Sequence, residues 1–118
     1  MMQFSWEDVD QELDRLRTAW KTGNAGKART AARRTVGMAI ALWLRKHPRP
    51  EYGSSFMNFV ETLSWDESAP QNVRGAAERL GGKISERGKM AFSIDPMEDA
   101  ETILDWIRKE ISKYHEPG

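Results

Sequence analysis

An all-α fold, an up-and-down four-helix bundle with one additional short helix, is what this chain of 118 residues predicts. Three observations predict it. Apolar residues recur at the helical period in five segments, and residues that cap or stop helices stand at the ends of those segments. No segment alternates apolar and polar residues between turns as a half-buried strand does. Short links between the longer segments make consecutive helices antiparallel neighbours. A single domain of this length buries roughly two thirds of the surface it exposes when unfolded, so one hydrophobic core suffices without a metal or a disulfide.

The first helix is expected over residues 6–22. Ser5 followed by Asp8 is a variant of the capping box, and Val9, Leu13, Leu16 and Trp20 follow in helical phase. Gly23, Asn24 and Gly26 then interrupt the pattern, which predicts a tight turn into a long second helix over 26–46. One broad face of that helix carries Ala28, Ala32, Val36, Ala39, Ile40, Trp43 and Leu44. Its alanines admit a neighbouring helix closely, and Gly37, which costs about 1 kcal/mol in propensity, points to close packing or a slight bend. His47-Pro48-Arg49-Pro50 stops it, because proline cannot continue the hydrogen-bond ladder.

A short third helix over 55–63, capped by Ser54 or Ser55, places Phe56, Phe59, Val60 and Leu63 on one face. After a loop at 66–69, Pro70 opens a fourth helix over 70–80, with Val73, Ala77 and Leu80 inward and Gly81-Gly82 as its stop. Residues 81–94 read as a connection. Asp95-Pro96-Met97-Glu98 then sets an N-cap acid, an N1 proline and an N3 glutamate in order, so the fifth helix runs over 96–114 with Ala100, Ile103, Leu104, Ile107, Ile111 and Tyr114 in phase.

The chain has no cysteine and two histidines, His47 and His115, which excludes a disulfide framework, a thiol nucleophile, a zinc ribbon, an iron-sulfur cluster and a His-rich metal site. No cofactor is expected. The acidic N-terminal segment lacks the positive start of a signal peptide, and the longest apolar stretch, 36–44, is about half of the roughly 20 residues that span a bilayer. A cytoplasmic protein without membrane association is the expectation. Eighteen Lys+Arg balance eighteen Asp+Glu, yet residues 21–50 carry eight basic residues and no acid. Arg29, Arg33, Arg34, Arg45, Lys46 and Arg49 from this block are the candidate binding residues, for RNA, DNA or an acidic partner, unless the acidic flanks fold back and pair with them.

Several stretches carry a resemblance to a family. Ala19-Trp20-Lys21-Thr22-Gly23-Asn24 precedes the alanine-rich run from Ala28 to Leu44, Tyr52-Gly53-Ser54-Ser55-Phe56-Met57 opens the third helix, and Ser85-Glu86-Arg87-Gly88 lies in the loop before the last. In order and in local pattern, about residues 8 to 112, the chain resembles a HEPN domain, the helical-bundle family often encoded beside nucleotidyltransferases and in toxin-antitoxin systems. The resemblance implies a module that pairs with a second copy or with a nucleotidyltransferase-like partner. Ribonuclease members carry an Arg-x(4-6)-His motif near the start of the last helix. Arg87 matches that arginine by position, but Phe92, Ser93 and Ile94 stand where the histidine belongs. Arg108 and His115 satisfy the spacing elsewhere. The leading expectation is therefore a non-catalytic HEPN-like module that binds a protein or nucleic-acid partner, with a ribonuclease using Arg87 or Arg108/His115 as the alternative.

Acid pairs at Asp8/Glu12, Asp95/Asp99 and Glu98/Glu101 fall at helix starts, where the macrodipole favours carboxylates. No phosphate-binding glycine loop or nucleophile elbow is present. Among five tryptophans, Trp43 and Trp106 belong to apolar faces, whereas Trp6, Trp20 and Trp65 lie near helix ends. With Phe4, Met38 and Met57 they suggest more apolar surface than a monomer covers, which predicts a homodimer.

Overall fold

The computed structural model describes residues 4–81 and 94–113, without the side chains of Phe56 and Met57. The described residues form five α-helices: α1 (Trp6–Lys21), α2 (Ala25–Lys46), α3 (Phe56–Trp65), α4 (Gln71–Gly81) and α5 (Pro96–Lys113). A single 3-10 turn, Pro50–Tyr52, precedes α3, and no strand occurs among the described residues. The all-α expectation holds, with bounds within two residues of those expected. Tyr114 and the connection beyond Gly81 lie outside the described residues.

Local chemistry explains the helix ends. The capping box forms: the Ser5 N–H donates to Asp8 Oδ2 at 2.9 Å, and Ser5 Oγ accepts from the Asp8 N–H at 3.4 Å. Between α1 and α2 the chain reverses through Gly23 at φ +79°, a backbone that side-chain-bearing residues adopt at a cost. Asn24 Oδ1 then accepts from the Lys27 N–H at 3.1 Å and starts α2. Asp95 does the same for α5, taking the Glu98 N–H at 2.9 Å. At α3 the expected serine cap is weaker, because Ser55 occupies the N-cap position without a side-chain bond.

α2 touches all four other helices, with α1 and α5 as its largest partners and α3 and α4 behind. α3 packs on α4, α4 packs on α5, and α1 meets α5 only along an edge. Alanine makes this central position feasible. Ala28, Ala31, Ala32 and Ala39 are buried, so the backbones of neighbouring helices approach α2 closely, and Val9, Leu13 and Leu16 of α1 fill the space they leave. On the other side Ile103, Leu104 and Ile107 of α5 meet Val36, Ile40 and Trp43 in one continuous core.

That central position corrects part of the excess-surface argument. Met38 is buried, while Phe4, Trp6 and Trp20 are half-buried against the core. Trp43 is in the core and half-buried Trp106 sets its ring edge-on to it, centroids 5.2 Å apart. Of the helix-end tryptophans only Trp65 is largely exposed, at 70%, joined by Ile94 at 85%. No described helix is long and apolar enough to cross a membrane.

Candidate functional site

The six basic candidates do not form one surface. Arg29 and Arg33 lie about 40° apart around α2 and Arg34 a further 100° on, all in its N-terminal half. Arg45, Lys46 and Arg49 lie at or beyond its C-terminus, roughly 24 Å or more from Arg29 along the axis. Two of the distal three are tied to the fold. Arg45 donates to the Phe4 carbonyl at 2.9 Å and pins the segment before α1.

Arg49 belongs to a cluster built around two buried residues, Tyr52 and Asp66. Its guanidinium reaches Asp66 Oδ1 at 3.2 Å and Glu51 Oε1 at 2.7 Å, and its Cζ lies 5.6 and 5.7 Å from the ring centroids of Trp43 and Tyr52. Asp66, on the loop after α3, also accepts from the Tyr52 hydroxyl at 2.6 Å, the Ser68 hydroxyl at 2.6 Å and the Ser68 N–H at 3.0 Å. Burial works against ionisation of Asp66, but the Ser68 and Tyr52 hydroxyls, the Ser68 N–H and the Arg49 charge outweigh it and hold the carboxyl below its ordinary range. Burial, followed by the bond to Asp66, pushes the Tyr52 hydroxyl far above its ordinary value. With every Asp66 oxygen taken, the cluster fastens the 3-10 turn to the α3–α4 loop rather than presenting a reactive group.

A second pairing spans α4 and α5. Arg79 forks onto Asp99, its Nη2 2.8 Å and its Nε 3.2 Å from carboxylate oxygens, which raises the pKa of the guanidinium. The pair lines an open groove of about 750 Å³ together with Gln71, Asn72, Asp95, Glu98 and Thr102.

Arg108, half of the alternative catalytic pair, bridges α5 to α1. It reaches Asp10 at 3.2 Å and stacks over the Trp6 ring at 5.2 Å. Arg87 and His115 lie outside the described residues. Four of the carboxylates that pair at helix starts have structural partners: Asp8 and Asp95 cap their helices, Glu12 holds Arg15 and Asp99 holds Arg79. No group of three or more His, Asp or Glu able to hold a metal occurs among the described residues.

Outward charge is concentrated elsewhere. From Arg15 to Pro50 the sequence has ten basic residues and no acid. Arg15, Arg17 and Lys21 on α1 lie near the closed end of the α1–α2 hairpin with Lys27, Arg33 and Arg34 on α2, and all six are exposed. Two acids offset them. Buried Glu12 takes Arg15 at 2.5 Å and lies 3.7 Å from Arg34, while Asp14 takes Arg17 at 3.0 Å. A cleft of about 410 Å³ between the two helices is lined by Arg15, Thr18, Thr22, Asn24 and Lys27, with Asp14 at its side. A basic block taken to begin at residue 21 leaves out Arg15 and Arg17. The acid-free run from Arg15 to Pro50 is the sequence signal that joins these two arginines to the block.

No family model matches the chain, and neither a curated protein nor a solved structure matches it.

Proposed function

We propose that this chain is a non-catalytic HEPN-like helical module, with an up-and-down four-helix arrangement, that acts by binding a protein or nucleic-acid partner and pairs with a second copy of itself. The observation that carries the binding reading is the disposition of charge. The carboxylates nearest to catalytic chemistry, Asp66 and Asp99, are occupied by Tyr52, Ser68, Arg49 and Arg79, whereas six cations of the α1–α2 hairpin face outward. Exposed Trp65 supports pairing, since large aromatic side chains are favoured at the centres of protein interfaces. The family resemblance adds a nucleotidyltransferase-like protein as the protein partner and a toxin-antitoxin system as the setting.

Arg108 supports the non-catalytic side of the reading, because its contacts with Asp10 and Trp6 give it a role in holding α5 to α1. Two measurements test the proposal. Light scattering at high micromolar concentration is expected to return the mass of a dimer, and a monomer would remove the pairing. RNA incubated with the protein is expected to remain intact; cleavage that disappears in His115→Ala would establish the ribonuclease instead.

A further inference from the structure

We propose that the closed end of the α1–α2 hairpin is a nucleic-acid surface that contacts the phosphate backbone without reading sequence, which rests on the binding reading above and names its partner class and place. Arg15, Arg17 and Lys21 descend one helix and Lys27, Arg33 and Arg34 the other, all within roughly 14 Å of the turn along the helix axes. At about 0.1 M salt the screening length is about 10 Å, so neighbouring cations along the hairpin reinforce one another, and a polyanion lying along it meets them in succession. Against six cations stand two carboxylates, Glu12 and Asp14, and the first turn of α2 contributes no acid. Lys21 and Lys27 have no ion pair among the described residues, and the contact made by Arg33 is a 3.4 Å bond to the Thr30 hydroxyl.

What the surface lacks selects nucleic acid over an acidic protein. Protein interfaces have an apolar core inside a polar rim, whereas nucleic-acid interfaces are more polar and far more positive. The large exposed apolar side chains among the described residues are Trp65 and Ile94, neither of which belongs to α1 or α2. Around the hairpin end the exposed residues are Arg, Lys, Thr, Asn and Gly, with Asp14, paired to Arg17, as the one exposed acid from Asp14 to Arg34. The cleft between Arg15 and Lys27 has Thr18, Thr22 and Asn24 on its walls together with Asp14, whose carboxylate is paired with Arg17, and offers a seat for one backbone phosphate.

The arrangement predicts a measurable salt law. Of the six hairpin cations, Lys21, Lys27 and Arg33 have no carboxylate partner among the described residues, so about three phosphates should be neutralised and the log-log salt slope on a single strand should be about −2. The experiment uses the full chain and fluorescein-labelled oligonucleotides of about 20 residues, one single-stranded RNA and one DNA duplex, titrated by anisotropy from about 25 mM salt upward. Lys21→Glu with Lys27→Glu should weaken binding more than about 10-fold and flatten the slope by more than half. Lys109→Glu with Lys113→Glu, the same charge change at exposed sites on the C-terminal part of α5, should alter affinity less than about 2-fold. Circular dichroism checks that both variants keep the helical content and melting temperature of the wild type.

Absence of binding to either probe at low salt overturns the proposal. Equal weakening by the two double variants also overturns it, because attraction would then follow net charge rather than the hairpin. Polyglutamate of matched charge binding as tightly as the nucleic acids would overturn the choice of partner. The same samples, run on a denaturing gel, separate this inference from the broader reading: a cleaved RNA probe contradicts the non-catalytic module and leaves the hairpin surface standing. An intact probe that never binds removes the hairpin surface and leaves a protein-binding module.

Discussion

Tyr52→Phe and Asp66→Ala probe the cluster that joins the 3-10 turn to the α3–α4 loop. The Tyr52 hydroxyl, on a residue 1% exposed, is the donor to Asp66 Oδ2, while Arg49 and both Ser68 donors converge on Oδ1. Removing the hydroxyl leaves one oxygen of a buried carboxylate without this donor, a loss of about 1.5 to 3 kcal/mol for a bond to a charged group. Asp66→Ala removes four bonds and strands the tyrosine hydroxyl, so about 3 to 4 kcal/mol is expected, or roughly 12 to 16 °C in Tm for a domain of this size. Because the two changes destroy the same bond, the double variant should be less destabilised than the sum of the singles by about 1 kcal/mol or more. Thermal and urea unfolding followed at 222 nm measure all four proteins. pH supplies independent arms. The folded-state pKa of Asp66 is depressed, so its contribution is fully present above the unfolded value of about 3.9 and is lost as pH falls through the folded value. Asp66→Asn should lack that acid-side loss. The folded-state pKa of Tyr52 is raised, so its contribution is present below about 10 and drains away above it, as the unfolded chain ionises and the folded one keeps its proton. Tyr52→Phe should lack this alkaline loss. Additive single-variant energies, with wild-type pH dependence in both, would refute the reasoning.

Two further stability predictions come from α1 and its turn. Glu12 is buried with one carboxylate oxygen, Oε2, lacking a hydrogen-bond partner, while its cationic partners Arg15 and Arg34 are exposed to water. Glu12→Met should therefore be neutral or stabilising by up to about 1 kcal/mol, and a Tm drop of several degrees would show that the pairs outweigh burial of the charge. Gly23→Ala should cost about 1 kcal/mol because φ is +79°; nothing lies within 4 Å of the added Cβ, so the loss is one of backbone conformation and an unchanged Tm would contradict it.

The five helices were legible because their signals are local. Ser5 with Asp8, Asn24 with Lys27 and Asp95 with Glu98 are caps made within three residues, and the apolar period between them needs no knowledge of the rest of the chain. The 3-10 turn at Pro50–Tyr52 was not, because what holds it is Asp66, 14 residues beyond Tyr52. Met38 was misassigned to an outer surface for a related reason: a helix touching four neighbours buries far more of its circumference than one seam, and the number of neighbours is a property of packing.

The charge block joins both cases. Its size could be counted, but the fate of each cation depended on whether a carboxylate lay opposite it. Arg49 found Asp66 across the loop, and Arg34 approached Glu12 across the hairpin. For Arg15, Arg17, Lys21, Lys27, Arg33 and Arg34 the described ion pairs enlist only Glu12 and Asp14, both from α1. Sequence order imposes that shortage: no acid occurs between Arg15 and Pro50, and antiparallel packing brings the basic end of α1 beside the basic start of α2. A surplus of positive charge at the turn follows from these two facts together, since the hairpin places cations side by side and supplies too few anions to neutralise them.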